Sequence, residues 1–119
     1  MATIALTKDT FADTTQAEGI VFVDFWAGWC GPCRAFAPVF EAAAAANRDV
    51  TFAKVDTEAE PELSMTLNIM SIPTLMIFRD GVPLFSQAGA LPAAVLDDLI
   101  DQVRALDMDA VRAELADAN

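Results

Sequence analysis

Both cysteines of the 119-residue chain, Cys30 and Cys33, lie in the stretch FWAGWCGPCRAF with only Gly31 and Pro32 between them. Two thiols at this spacing can clip a metal ion, staple the chain or work as a redox couple. Structural zinc wants four nitrogen or sulfur ligands, and the chain offers two cysteines and no histidine. Arginine at position 34 also removes the signature of covalent haem attachment. As a staple the pair is weak, because closing a four-residue loop gains about 2 kcal/mol in the chain-entropy model, against ~3 for fifteen residues.

The redox reading accounts for more of the surroundings. If a strand ends and a helix begins at Cys30, the unpaired amides and the helix dipole favour its thiolate and make it the nucleophile. Cys33, three residues on, shares that helix face and can resolve a mixed disulfide. Gly31 and Pro32 suit a first helical turn, where the N–H that proline lacks would be unpaired anyway.

Three further features bear on the pair. Asp24 interrupts the apolar stretch IVFVDFWA; burial would raise its pKa and let it exchange protons with a nearby thiol around neutral pH, the alternative being an aspartate on an exposed edge. Lys54, the only base in VTFAKVD, either stands near Asp24 across neighbouring strands or is a solvated side chain. Pro73 directly precedes the apolar run TLMIF; by itself it reads as a trans proline at a strand's entry, with a cis turn as the alternative. Of Trp26 and Trp29, one is expected to pack in the core and the one beside Cys30 to face a partner.

The elements that must position these residues follow from periodicity. Residues 3–6 read as a short strand and 10–18 as a short helix ended by Gly19. Residues 20–27, almost wholly apolar, predict a central strand buried on both faces that delivers the chain into the cysteines. Pro32 opens an alanine-rich helix to about Asn47, which Pro38 is expected to bend or interrupt. Residues 50–56 alternate like a strand, and 57–68 read as an acidic loop leading into a short helix. Residues 74–89 form two apolar runs around Asp80-Gly81, a hairpin signal. Residues 91–106 predict an amphipathic helix, and Met108, Val111 and Leu115 a small extra one. Early alternation followed by a late hairpin implies an α/β fold with a mixed sheet covered by helices on both faces.

The length and a 55% hydrophobic content are those of one packed domain. A net charge of −11, from 18 acids and 7 bases, disfavours nucleic-acid and membrane-surface partners. The start MATIALTKDT shows no basic leader and apolar run, so the expectation is a soluble cytoplasmic protein.

Trp29 to Cys33, the preceding VDFWA, Lys54-Val55-Asp56, Ser71-Ile72-Pro73-Thr74, Phe78, Asp80-Gly81 and Gly89-Ala90-Leu91 occur in an order and spacing that resemble the thioredoxin family over residues 3–106. The resemblance implies the thioredoxin fold, with residues 1–107 as the domain and 108–119 as a short helical extension of it. It implies a monomeric protein-disulfide reductase without a cofactor or metal of its own, recharged by a flavin-containing thioredoxin reductase. By matching position, Cys30 would attack, Cys33 resolve, Asp24 accept the proton and Lys54 tune it. Pro73 would carry a cis bond, and Trp29, Gly31, Pro32, Ile72, Pro73, Gly89 and Ala90 would form the substrate platform. An oxidising or isomerising relative, and a binding module with incidental thiols, are the alternatives. Leu67 and Asn68 depart from the family, standing where an aromatic residue and a glycine are common.

Overall fold

The computed structural model describes residues 2–117. In chain order the elements are β1 (Ile4–Ala5), α1 (Phe11–Thr15), β2 (Ile20–Trp26), α2 (Gly31–Ala46), β3 (Thr51–Asp56), α3 (Pro61–Thr66), β4 (Thr74–Arg79), β5 (Val82–Ala88), α4 (Ala93–Ala105) and α5 (Met108–Asp117). They build one five-stranded sheet in the order β1-β3-β2-β4-β5. β1, β3 and β2 run parallel, while β4 and β5 are antiparallel additions.

β2 sits in the middle because nearly every residue of IVFVDFW is apolar, and only a strand covered on both faces can bury both sides of such a run. Its alternation divides the core in two. Ile20 and Phe22 point with Phe52, Leu75 and Ile77 toward Phe36 and Phe40 of α2 and Leu96 and Ile100 of α4. Val21, Val23 and Phe25 point the other way, with Ala53, Val55 and Phe78, toward Phe11 of α1 and the Leu63–Ile69 region. Asp24 has the parity of Phe22, so its carboxyl enters the α2 side of the sheet.

α2 runs unbroken from Gly31 to Ala46 with Pro38 inside it, so the expected interruption does not occur. Pro38 is exposed, and the carbonyl deprived of its N–H partner can turn to water while the alanine-rich remainder holds the helix. α1 is shorter than periodicity suggests. Its last residue, Thr15, bonds its hydroxyl back to the Phe11 carbonyl at 2.9 Å, a local competitor of helix propagation.

The hairpin forms at Asp80-Gly81, where both residues have positive φ, 53° and 81°, as a two-residue turn of this hand demands. A Cβ on Gly81 would lie 3.2 Å from the Gln16 carbonyl oxygen, so a larger residue would crowd that backbone by a few tenths of an ångström in addition to straining the turn.

Beside the turn, the Arg79 guanidinium donates to the Val103 carbonyl at 2.8 Å and the Leu106 carbonyl at 2.9 Å, satisfying the C-terminal end of α4. α5 then folds back, with Met108 buried and Arg112 3.8 Å from the Asp80 carboxylate. Arg79→Met is therefore expected to cost about 2 kcal/mol, the usual worth of a hydrogen bond to a charged group, as a lower urea midpoint at unchanged slope. No helix among the described residues is long and apolar enough to cross a membrane.

Candidate active site

Cys30 is the residue at which β2's continuation gives way to α2. Its backbone is still extended, φ −88° and ψ 114°, and it caps the helix by accepting the Cys33 backbone N–H on its own Sγ at 3.1 Å. The two cysteines are joined as a disulfide, with Cα atoms 5.2 Å apart. Gly31 and Pro32 occupy the first turn and are exposed, whereas Cys30 and Cys33 are buried.

Opposite the pair lies the loop before β4. The Ile72 carbonyl oxygen is 3.7 Å from Cys30 Sγ, and the Ile72–Pro73 bond is cis. The trans reading of Pro73 from the residues alone is thus corrected, and the cis bond implied by family resemblance is present. Gly89, with φ at +104°, donates its N–H to the Pro73 carbonyl at 2.8 Å and binds the end of β5 to this loop. Ala90 follows it, exposed. The Cys33 N–H thus lies closer to the Cys30 sulfur than the Ile72 carbonyl does.

Asp24 is wholly buried, not at an edge, and neither carboxyl oxygen has a hydrogen-bond partner among the described residues. Burial pushes its pKa up to about 7, and the nearby Lys54 ammonium pulls the other way. Asp24 and Lys54 are direct partners in the parallel β2–β3 register, so of the two sequence readings of Lys54 the neighbouring one holds. The Lys54 Nζ stands 5.1 Å from the centre of the Trp26 ring. Lys54, Trp26 and Cys33 line a common cavity of about 110 Å³, room for ordered water beside Cys33.

Trp26 does not join the core as expected but is half-buried against this cavity, because its side chain leaves the end of β2 beside Lys54, whereas Trp29 is 66% exposed beside Cys30. The Trp29 indole N–H donates to the Glu58 carboxylate at 2.8 Å. Glu58 was not legible as a site residue, because it comes from the acidic loop after β3 and nothing in its spacing points to Trp29. Asn68, at the family's glycine position, has φ at +58°, a conformation asparagine tolerates better than most side chains.

A mixed sheet flanked by helices, with a two-cysteine redox couple at the helix start that follows the central strand, defines a thiol–disulfide oxidoreductase. Comparison with known proteins agrees. The family model described as Thioredoxin matches residues 2–102. A Streptomyces coelicolor protein assigned as thioredoxin 2 is 55% identical over 116 residues, covering 98% of this chain and 87% of its own. The thioredoxin of Mycobacterium tuberculosis is 45% identical over 105 residues, covering 86% of this chain and 90% of its own. A bifunctional thioredoxin reductase/thioredoxin of Mycobacterium leprae is 44% identical over 95 residues, which are 78% of this chain and 21% of that one. The crystal structure of Malassezia sympodialis thioredoxin superimposes with a TM-score of 0.75 at 32% identity, covering 84% of this chain and 89% of that one. The chain belongs to the thioredoxin family. Its redox centre is the Cys30–Cys33 pair.

Proposed function

We propose that the protein reduces disulfides of other proteins in two exchange steps, with Cys30 attacking and Cys33 resolving. The Cys30 thiolate attacks one sulfur of the substrate disulfide, that S–S bond breaks, and the other substrate sulfur leaves as a thiolate. Cys33 then gives its proton to the Asp24 carboxylate and attacks Cys30 Sγ. The mixed disulfide breaks, the second substrate thiolate departs, and the two electrons of the pair have passed to the substrate. The joined Cys30–Cys33 pair is the end state of this cycle.

The observation that carries the reading is the cap geometry: only Cys30 has its sulfur on a helix-terminal N–H, at 3.1 Å. Asp24 is supported as the proton acceptor by its burial, its pKa near 7 and its place opposite Lys54. Lys54 tunes it. Trp29, Gly31, Pro32, Ile72, Pro73, Gly89 and Ala90 form the platform on which the substrate chain lies, a role supported by the exposure of Trp29 and the closeness of Ile72 to Cys30. α5 belongs to the same domain as residues 1–107, the Arg112–Asp80 pair being its tie. A thioredoxin reductase drawing on NADPH reloads the pair, as the fusion of the two activities in a relative suggests. The protein acts as a cytoplasmic monomer.

The test is coupled turnover: NADPH consumption with a protein disulfide as acceptor, in the presence of thioredoxin reductases of more than one kind. Steady oxidation that needs both this protein and the acceptor supports the reading. Absence of turnover with every reductase, while a control thioredoxin turns over, overturns the recharging step.

Lys54→Met supplies a second expected outcome. Its charge lowers the Asp24 pKa, so its loss moves the rise of turnover with pH to higher pH, as a pH–rate profile will show. An unmoved profile would remove Lys54 from the tuning role.

A further inference from the structure

The most exposed large apolar side chains among the described residues are Trp29 at 66%, Met65 at 81% and Met70 at 84%. Trp29 and Met70 line, with Ile69 and Ile72, an open groove of about 410 Å³. Met65 lies on α3 next to Ser64, another wall of that groove. Large apolar side chains held in water beside a reactive site mark a surface that is covered in use. Methionine, unbranched and polarisable, suits a surface that must accept apolar partners of several shapes.

The charge around the groove restricts the occupant. No lysine or arginine lines it. A charged group bonded to its wall is Glu58, an exposed carboxylate that accepts from the Trp29 indole at 2.8 Å, within a chain of net charge −11. An acidic segment would be repelled and a basic one drawn in.

We propose that Met70 and Glu58 are specificity-determining residues, and that the groove between Trp29 and Met70 takes a substrate segment with a large apolar side chain on one side of the attacked cysteine and a lysine or arginine on the other. The inference rests on the proposed exchange at Cys30 and adds the substrate class. Met70 stands two residues before Ile72, whose carbonyl touches the Cys30 sulfur, so a residue adjoining the substrate cysteine falls over the groove. The apolar contact sets most of the preference, because it survives salt. The charge contribution is smaller and is screened.

The test uses short peptides whose single cysteine is disulfide-bonded to thionitrobenzoate. The pre-reduced protein attacks the peptide sulfur and expels thionitrobenzoate, whose absorbance gives a second-order rate constant. Each rate is divided by that of the same peptide with dithiothreitol, which removes differences in intrinsic reactivity. Leu-Cys-Lys is expected to outrun Ser-Cys-Lys by about tenfold at any salt, and Met70→Ser to bring that ratio near one. Leu-Cys-Lys is expected to outrun Leu-Cys-Glu by about threefold at low salt, and Glu58→Gln or high salt to reduce this. Met70 is exposed, so its replacement leaves the fold standing. Equal corrected rates for the leucine and serine peptides, or a ratio unchanged by Met70→Ser, would overturn the proposal. If the wild-type protein fails to react even with free dithiobis-nitrobenzoate, the exchange at Cys30 itself is refuted. If that reaction runs and the peptide ratios are one, only the docking preference fails.

Discussion

Cys30→Ser is expected to lower coupled disulfide reduction by at least about a thousandfold, because a serine hydroxyl at the helix start is neither ionised at neutral pH nor able to exchange with a disulfide. Cys33→Ser should abolish multiple turnover to a similar extent by a different route. It leaves the Cys33 backbone N–H that supports the Cys30 thiolate, so the first attack proceeds and the cycle stops at the mixed disulfide. Losses for groups acting as a unit do not add, and the double variant is expected to be no slower in turnover than either single one. Single-turnover kinetics separate the cases: Cys33→Ser releases one substrate thiol per protein, Cys30→Ser none. The result that would count against this order is rapid release from Cys30→Ser.

Asp24→Asn is expected to stabilise the protein, increasingly as pH rises. The Asp24 pKa is about 7 in the folded protein against 3.8 for an ordinary aspartate in water. The folded state therefore holds a proton that the unfolded chain has already released, and stability falls as pH climbs through this window. The loss begins just above pH 3.8 and is complete above about pH 7. The shift corresponds to about 4 kcal/mol at the upper end. Asparagine cannot ionise, so urea denaturation of the two proteins should differ by a gap that widens by that amount from acid to alkaline pH. The same change should slow resolution, since the amide accepts no proton from Cys33. A gap independent of pH would mean that Asp24 is not the group burdened by burial. The cost of holding this carboxyl without a hydrogen-bond partner among the described residues falls on stability, while the benefit proposed for it falls on the exchange reaction.

Much of the scaffold was legible because a few residues carry strong local signals. An apolar run interrupted only by Asp24 identified the central strand, Asp80-Gly81 the hairpin, and Pro32 followed by alanines the site helix. Pro38 was misleading because a proline's cost depends on whether water reaches the freed carbonyl, and exposure is a property of the folded helix. The pairing of Asp24 with Lys54 depends on the β2–β3 register, which a parallel crossover sets from afar, so spacing left it open. The cis state of Pro73 likewise has no local signature, and family resemblance supplied it where the residues did not. The Glu58–Trp29 bond and the exposure of Met70 arise where loops meet, and loops carry no periodicity to read.

The most direct test of the two-step exchange is to trap it. Cys33→Ser, reduced and mixed with a disulfide-bonded protein, should form a covalent adduct that dithiothreitol releases, and peptide mapping should find the substrate cysteine attached to Cys30. Failure to form an adduct where a control thioredoxin traps the same substrate would contradict the account.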